Sequence, residues 1–424
     1  MKLRAFACWL ILFGLLATLL SLSSPSLATP AEKARLYTSP LEFDYLSWDI
    51  DAFLVKGMQR GVNAAQNLPP QEQHNLVVET IQKTYELEWL NAKIQQIYAN
   101  PNIEDPAQYA RDDLLRQEDL QHELGHLFPM AEAILEGQVT EILVEEGIAR
   151  SGTAIPPLLF HTTPLPKALI TSPRDSIKQD TNISLLADLT LEQIDQLERD
   201  VEKATGQSAL VVDVGGIGIY PTMVMRSSNL PWIIDTIAHE WTHNYLSIRP
   251  LGINYDKTPE LRTMNETTAV MVGEEISQKV LERYYPEYVP QPVEEQNQEQ
   301  AQSEEATPPA EEEPVFDFRA EMHTTRVHVD ELLAAGKIDE AEAYMEERRI
   351  LFVNQGYDIR KLNQAYFAFH GAYAASPGGA AGEDPVGPAV RELRASSDSL
   401  AVFLRTISRM NSYEDLVTFA SLDK

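Results

Sequence analysis

Residues 231–247 are Pro-Trp-Ile-Ile-Asp-Thr-Ile-Ala-His-Glu-Trp-Thr-His-Asn-Tyr-Leu-Ser and place His239 and His243 four positions apart. Four residues make about one turn of an α-helix, so both imidazoles stand on one helix face and can bind one metal ion together. Glu240 borders that face and can take a proton from metal-bound water. The segment therefore predicts a helix with two nitrogen ligands for zinc and an adjacent general base.

The same segment carries the signals of a buried helix. Ser227, Ser228 and Asn229 offer side-chain oxygens that can accept hydrogen bonds from the free backbone N–H groups at its start. Pro231 falls in the first turn, where its missing N–H is not needed. Most of the next residues are apolar, which predicts burial. Histidines and a glutamate on a buried helix need partners, and a metal ion would supply them.

A second helix offers a third ligand. It follows a loop over 251–257, begins with Thr258 as cap and a proline, and carries Glu266. Ala269 and Gly273 lie on the same face as Glu266, and their small size predicts close approach of the two helices. Close approach is necessary because a carboxylate ligand lies about 2 Å from zinc.

Two short runs resemble the gluzincin group of zinc metallopeptidases, which includes thermolysin-like and aminopeptidase N-like enzymes. They are His-Glu-Trp-Thr-His at 239–243 and Asn-Glu-Thr-Thr-Ala at 265–269, and the second resembles the aminopeptidase branch in particular. The resemblance is local to residues 231–280. It implies a zincin-like core with Zn²⁺ as cofactor. It also implies His239, His243 and Glu266 as zinc ligands and Glu240 as general base.

The chain departs from these enzymes at two places. Val270 stands where thermolysin-like enzymes have an acid that orients one histidine, so Asp235, one turn before His239, becomes the candidate for that role. The chain also has no Gly-x-Met-Glu-Asn segment, by which aminopeptidase N-like enzymes recognise a free amino terminus. The sequence therefore predicts a peptidase and leaves endo and exo cleavage both open.

A second run with the same spacing, His-Glu-Leu-Gly-His, lies at 122–126. Pro129 follows at a position where metzincin-type sites need a glycine with positive φ, a conformation that proline cannot adopt. Glu145 has the offset of a third ligand, but residues 130–146 predict one continuous helix that would place it more than about 20 Å away. We expect the histidines of this run to occupy a polar helix face.

Composition and the N-terminus limit the partners and the compartment. The chain has 424 residues, enough for two or three domains, and its net charge of -30 opposes binding to nucleic acid and to anionic membrane surfaces. Residues 1–28 are typical of an export signal, with Lys2 and Arg4 before an apolar stretch over 5–22. We expect a periplasmic or extracellular protein, either cleaved before Thr29 or associated with a membrane through residues 5–22 alone.

The chain as a whole predicts an α+β fold that is mainly helical, with helical modules on both sides of the core. We expect modules over 29–150 and 315–424, a zincin-like catalytic core over 151–286, and an acidic disordered linker over 287–314. Apolar periodicity predicts helices over 41–66, 70–98, 106–128, 130–146, 191–205, 327–335, 339–351 and 358–375.

Residues 158–172 and 210–225 are rich in β-branched residues and predict strands. In zincin-like folds the strand beside the metal-binding helix pairs with an extended substrate, and the resemblance points to 217–225 for that strand. The Gly-Gly-Ile-Gly run at 215–218 has two interpretations. Its glycines either allow close approach of the backbone or form ordinary turns.

The predicted helix over 358–375 places Tyr366, His370 and Tyr373 on one face. Zinc peptidases commonly need a tyrosine or histidine donor for the oxyanion of the tetrahedral intermediate. Tyr366 and His370 are therefore candidate catalytic residues, with ordinary aromatic packing as the alternative.

Four further residues are weaker candidates. Tyr255, His323 and His328 could also donate to an oxyanion. Asp384 lies in the irregular stretch over 376–388, and loops of this length often have a binding function.

These observations predict an exported, zinc-dependent metallopeptidase that acts on a peptide or protein substrate. Two alternatives stay open. One is a non-catalytic cell-envelope protein that binds zinc and a partner, and the other is a zinc amidase acting on non-protein amides. An open coordination position separates enzymes from structural zinc sites, which are closed.

Overall fold

A computed structural model gives a mainly helical fold with two small three-stranded sheets, which confirms the coarse α+β prediction. The expected export signal at 1–28 and the predicted linker from 290 to 314 lie outside the described residues. No helix within the described ranges has the length and apolar character needed to cross a membrane. The structure describes residues 29–62, 67–99, 103–148, 154–289, 316–376 and 378–422.

The N-terminal region is helical, as predicted. Helix α1 begins with a capping box, in which the Thr29 side chain accepts from the backbone N–H of Glu32 and the Glu32 side chain accepts from the N–H of Thr29. Helices α3 and α5 pack against each other along much of their length. The bounds are α1 Pro30–Thr38, α2 Tyr45–Val62, α3 Pro70–Ala99, α4 Pro106–Tyr109 and α5 Arg111–Glu145.

The predicted helix break at Pro129 is wrong, because α5 continues through this residue. A proline inside a helix removes one hydrogen bond and crowds the carbonyl of the residue four positions earlier, here Gly125. Tertiary packing on both sides offsets this cost. Before the proline, Phe128 is buried against α3. After it, Leu135 is buried in the hydrophobic core that includes Ile237 and Val272, which is called the central core below.

The described strands all lie between residues 160 and 224. One sheet has the order β3-β2-β4 and is antiparallel, whereas the other has the order β1-β6-β5, with β1 parallel and β5 antiparallel to β6. Strand β3 was not predicted, because its exposed positions are polar and its buried face begins with a threonine. The bounds are β1 Phe160–Thr162, β2 Lys167–Ser172, β3 Thr181–Leu185, β4 Ser208–Val212, β5 Gly216–Ile217 and β6 Thr222–Val224.

Helices cover both faces of the β3-β2-β4 sheet. Helix α6 spans Leu191–Thr205, the bounds that the sequence predicted. It packs with α1 on the face that carries Leu169 and Val211. The opposite face carries Ile170 and packs against Phe369.

The remaining helices follow the second sheet. Helices α7 and α9 form the most extensive helix pair and lie in the central core. Part of the predicted loop over 251–257 forms the short helix α8, and Tyr288 and Val289, assigned to the linker, pack against the central core instead. The bounds are α7 Leu230–Ser247, α8 Pro250–Ile253, α9 Pro259–Tyr284, α10 Phe318–Ala334, α11 Ile338–Asn354, α12 Gln364–His370, α13 Val386–Ser396, α14 Leu400–Ile407 and α15 Tyr413–Leu422.

The predicted helix over 358–375 is wrong in length. Helix α12 begins only at Gln364, where the Asn363 side chain accepts a hydrogen bond from the backbone N–H of Tyr366. The chain turns at Gly371, where a Cβ would lie 2.9 Å from the carbonyl oxygen of Ala380. Because α12 ends at His370, the residues after Gly371 leave the helical face that the sequence predicted for them.

A buried ion cluster joins α2 to α5 and β1. The ammonium of Lys56, whose side chain is 2% exposed, lies 2.7 Å from Glu132 and 2.8 Å from Glu136. Glu132 also accepts hydrogen bonds from the backbone N–H and the hydroxyl of Thr162. Although burial opposes it, Lys56 and His161 hold the pKa of Glu132 well below its ordinary value. The cluster thus fixes β1, and with it the sheet beside α7.

Replacing Lys56 by Met should lower the free energy of unfolding by about 3–5 kcal/mol, because it leaves Glu132 and Glu136 buried without their cation. Chemical denaturation of the purified variant measures this loss. Lys83→Met is the matched control, since Lys83 pairs with Glu79 and Glu123 at the surface and should cost less than about 1 kcal/mol. Equal losses in the two variants would contradict the structural role of the cluster.

Candidate metal centre

Helix α7 begins where the sequence predicted and presents both histidines. The side chain of Asn229 accepts a hydrogen bond from the backbone N–H of Trp232, and Pro231 lies in the first turn. The ring centroids of His239 and His243 are 4.8 Å apart. Their Nε2 atoms are separated by 3.1 Å, so both nitrogens face a common position.

Glu266 joins the two histidines from helix α9. The side chain of Thr258 caps this helix by accepting from the backbone N–H of Leu261. The Oε2 atom of Glu266 lies 3.4 Å from Nε2 of His243 and 3.7 Å from Nε2 of His239. Within the described ranges, these three residues are the one group of His, Cys, Asp or Glu side chains arranged to share a metal ion.

The close packing of α9 against α7 depends on a glycine. A Cβ at Gly273 would lie 2.7 Å from Oδ1 of Asp235 and 3.3 Å from Cβ of His239, so a larger residue would separate the helices. Ala269, on the same face, is completely buried. The prediction that small residues bring the two helices together is confirmed.

The three ligand atoms fit a zinc ion. Tetrahedral coordination with bonds of 2.0–2.1 Å separates neighbouring ligand atoms by about 3.3 Å. The separations here are 3.1, 3.4 and 3.7 Å. Oε2 of Glu266 is buried and has no hydrogen-bond partner in the described part of the chain, although a buried carboxylate oxygen needs one. Imidazole nitrogens with one carboxylate oxygen are a ligand set typical of zinc.

Neighbouring side chains hold the ligands in orientation. Nδ1 of His243 lies 2.8 Å from Oδ1 of Asn265, which leaves Nε2 of the neutral ring as the metal ligand. The hydroxyl of Tyr255 donates to Oε1 of Glu266, so Oε2 is the oxygen that faces the histidines. Nε of Arg262 in turn donates to the Tyr255 hydroxyl at 3.3 Å. The role of Asn265 was not predicted from the sequence, and Tyr255 was predicted only as a weaker candidate for an oxyanion donor.

The charges of the cluster favour a proton on His243. Burial disfavours the charged ring, but Glu266 and then Glu240 raise the pKa of His243 to about 9. His243 and His239 hold the pKa of Glu266 well below its ordinary value, against the effect of burial. A metal ion that binds His243 must displace this proton, so we expect metal affinity to fall as the pH falls.

Glu240 lies against the backbone around β5. A Cβ on Gly216 would lie 2.6 Å from Oε1 of Glu240, and a Cβ on Gly218 would lie 2.8 Å from Cβ of His243. Glu240 is 7% exposed, and burial raises its pKa although both histidines oppose the shift. Of the two interpretations of these glycines, the structure supports close approach of the backbone.

A cleft of about 330 Å³ opens at the three ligands and Glu240. Strand β5, at the edge of its sheet, lines it together with Arg262, Phe369 and Tyr373. The ring of Tyr373 stacks on that of His239 with centroids 6.4 Å apart. Desolvation and the nearby carboxylate of Glu266 raise the pKa of Tyr373 well above its ordinary value, so its phenol stays protonated.

The two predicted oxyanion donors do not line this cleft. Tyr366 and His370 contact each other with ring centroids 4.3 Å apart, and Tyr366 packs against the β3-β2-β4 sheet. Burial, with a further effect from Arg262, lowers the pKa of His370 to about 4, so its ring is neutral. Because α12 ends at His370, Tyr373 lies on the following turn and reaches the cleft instead.

The second His-Glu-x-x-His run lies on an exposed part of α5. The rings of His122 and His126 are exposed and have centroids 4.8 Å apart, the same separation as in the first pair. Unlike Glu240, however, Glu123 pairs with a lysine and an arginine, which lower its pKa. The described residues bring no third ligand to this pair. The prediction of a polar helix face is confirmed.

The other candidates lie outside the lining of the cleft. His323 and His328 pair with glutamates of their own region, at 3.3 and 3.2 Å. Asp384 accepts a hydrogen bond from a backbone N–H at the start of α13. Asp235, the predicted partner of His239, has a buried Oδ1 without a hydrogen-bond partner in the described chain, and burial raises its pKa to about 6.

We expect the purified protein to bind one zinc ion per chain at this cluster, measured by mass spectrometry after dialysis. His239→Ala should lose the ion, because two of the three ligands cannot hold it. His122→Ala is the matched control and should retain it, because its histidine pair lacks a third ligand. Zinc lost only from the His122 variant would place the metal at the other motif.

Comparison of the chain with known proteins adds no further assignment. No protein-family model, curated protein or solved structure matches it. The resemblance to gluzincins over 231–280 therefore stays a prediction. What the site can do follows from the geometry of its own residues.

Proposed function

We propose that this chain is an exported, zinc-dependent hydrolase of peptide bonds with a zincin-like core. The observation that carries the proposal is the meeting of His239, His243 and Glu266 beside the buried Glu240 in an open cleft. A structural zinc site is closed by four protein ligands, whereas the three residues of this group leave one position for water and substrate. The open position favours an enzyme over a non-catalytic zinc protein.

Glu240 acts as the general base of the proposed reaction. When bound, zinc lowers the pKa of a water ligand and polarises the substrate carbonyl. Glu240 accepts the proton of the attacking water and passes it to the leaving amine. Burial suits it to this role, because a raised pKa brings a carboxylate closer to the pH at which proton transfer is efficient.

Strand β5 and Tyr373 are the proposed substrate-binding groups. The backbone of β5 lies at a sheet edge in the cleft, where an extended peptide can pair with it through main-chain hydrogen bonds. Tyr373 keeps its phenolic proton and can donate it in a hydrogen bond to the oxyanion of the tetrahedral intermediate.

The compartment and the substrate class also belong to the proposal. Residues 1–28 support export, and the net charge of -30 opposes nucleic acid as a substrate. A peptide or protein is the proposed substrate, because the edge strand β5 in the cleft can pair with an extended peptide.

Glu240→Gln should retain zinc and lower kcat on a cleavable peptide by about 10²–10⁴, because the variant keeps the side-chain volume but cannot accept a proton. A library of quenched fluorescent peptides, assayed with the zinc-loaded protein, identifies the substrate and then measures both enzymes. Full activity of the Gln variant would exclude Glu240 as the base. Binding of peptides without cleavage by the zinc-loaded parent would favour the non-catalytic alternative.

Tyr373→Phe should lower kcat by about 10²–10³ and change KM little, because the hydroxyl is used only in the transition state. Steady-state kinetics on the same peptide measure both constants. Tyr366→Phe removes the same group from the same part of the chain and should leave kcat unchanged, because Tyr366 does not line the cleft. A lower kcat of Tyr366→Phe together with an unchanged kcat of Tyr373→Phe would restore Tyr366 as the predicted oxyanion donor.

A further inference from the structure

Arg262 is a buried cation in the wall of the cleft. It is 6% exposed, and it also borders a neighbouring cavity of about 480 Å³. Its Nε donates to the Tyr255 hydroxyl at 3.3 Å and its Nη1 donates to the carbonyl oxygen of Ala368 at 2.6 Å. Within the described ranges, no carboxylate oxygen comes within ion-pair distance of the guanidinium, and no acceptor is found for Nη2.

The contrast with Lys56 shows that this arrangement is unusual. Buried charges in proteins are normally paired, because desolvation of an unpaired ion is costly. Lys56, equally buried, contacts the carboxylates of Glu132 and Glu136. Arg262 has two neutral acceptors instead. The carboxylate of Glu266 acts on this charge only across the Tyr255 hydroxyl, and no carboxylate of the described chain pairs with the guanidinium directly.

Among the described residues that line the cleft, no acidic side chain is available to pair with Arg262. The described residues that line it include two acids, Glu240 and Glu266, and both belong to the reaction centre. Lys167, the other cation of the lining, already pairs with Asp213. The neighbouring cavity is lined by six acids, among them Asp256 and Glu260, but none of them forms an ion pair with Arg262 in the described part of the chain.

We propose that Arg262 binds a carboxylate group of the substrate, either the C-terminal carboxylate of a peptide or an acidic side chain near the scissile bond. This inference rests on the proposed peptidase function and deepens it by naming the substrate class. Because Nε and one N–H of Nη1 are already engaged, Nη2 and the second N–H of Nη1 are the donors left for a carboxylate. The hydroxyl of Tyr255 forms hydrogen bonds with both Arg262 and the metal ligand Glu266. A carboxylate bound to Arg262 would therefore lie close to the reacting carbonyl.

A structural role is the competing explanation. Arg262 could serve only to hold Tyr255 and, through it, Glu266. Loss of such a support would lower the zinc content and weaken the binding of acidic and neutral peptides alike. Loss of a carboxylate-binding group would remove the preference for acids and leave zinc content and the binding of neutral peptides unchanged.

The test measures binding to the zinc-loaded, full-length Glu240→Gln protein, which cannot turn the peptides over. The probes are N-acetyl-trialanine with a free carboxylate, the same peptide with a C-terminal amide, and an amidated peptide with one alanine replaced by aspartate. Isothermal titration calorimetry gives the dissociation constants. Zinc content is measured for each variant in parallel.

We expect a carboxylate-bearing probe to bind about 10- to 100-fold more tightly than the neutral amide, as for hydrogen bonds to a charged group. Adding Arg262→Gln should abolish this preference without loss of zinc, and Arg262→Lys should keep part of it. Lys167→Gln is the matched control and should keep all of it, because Lys167 is already paired. The probe that binds more tightly then shows whether the recognised carboxylate is the C-terminus of the peptide or an acidic side chain.

Three outcomes would overturn the inference. Equal binding of acid and amide would exclude carboxylate recognition and leave the peptidase proposal intact. A preference that survives Arg262→Gln, or that disappears with Lys167→Gln, would assign the recognition to another residue. Failure of every probe to bind, together with no cleavage by the parent enzyme, would exclude both this inference and the proposed function.

Discussion

The close packing of helix α9 against helix α7 is the constraint on which the site depends. His239 and His243 are one turn apart on α7 and need no tertiary structure to share a metal ion. Glu266 reaches them only because Gly273 has no side chain at the point of contact with Asp235 and His239. The separations of the ligand atoms, 3.1 to 3.7 Å, follow from this contact.

The two oxygens of Glu266 are held in different ways. Oε1 accepts a hydrogen bond from Tyr255, whereas Oε2 is buried, has no hydrogen-bond partner among the described residues and lies 3.4 and 3.7 Å from the Nε2 atoms of His243 and His239. This asymmetry favours binding of a metal ion through a single oxygen. It also links the metal centre to Arg262, because the hydroxyl that holds Oε1 accepts a hydrogen bond from that guanidinium. The ligand geometry and the charge of the cleft wall therefore depend on the same few residues.

The chain contains two His-Glu-x-x-His runs, and their surroundings give them opposite properties. The ring separations are equal in the two runs. Glu240 is desolvated, and burial raises its pKa, whereas surface cations pair with Glu123 and lower its pKa. The first glutamate is suited to accept a proton and the second is held as a solvated anion. Spacing alone could not distinguish them, because it repeats the local helical geometry and says nothing about burial.

The sequence by itself determined the features that depend on residues close together in the chain. The cap at Thr258, a cap within 227–229, the ends of α6, the spacing of the histidines and the small residues near Glu266 were all predicted, because each depends on residues within a few turns. The coarse helical α+β class followed from the same periodicities.

Tertiary structure decided what long-range contacts control. Buried side chains on both sides of Pro129 keep α5 continuous, although proline by itself favours a break. Helix α12 ends at His370, which brings Tyr373 into the cleft and leaves Tyr366 outside it, and the missing side chain of Gly371 leaves room for the backbone of Ala380. The partners of the ligands and the incompletely paired charge of Arg262 arise from chain segments that meet only in the folded protein, so no spacing in the sequence could reveal them.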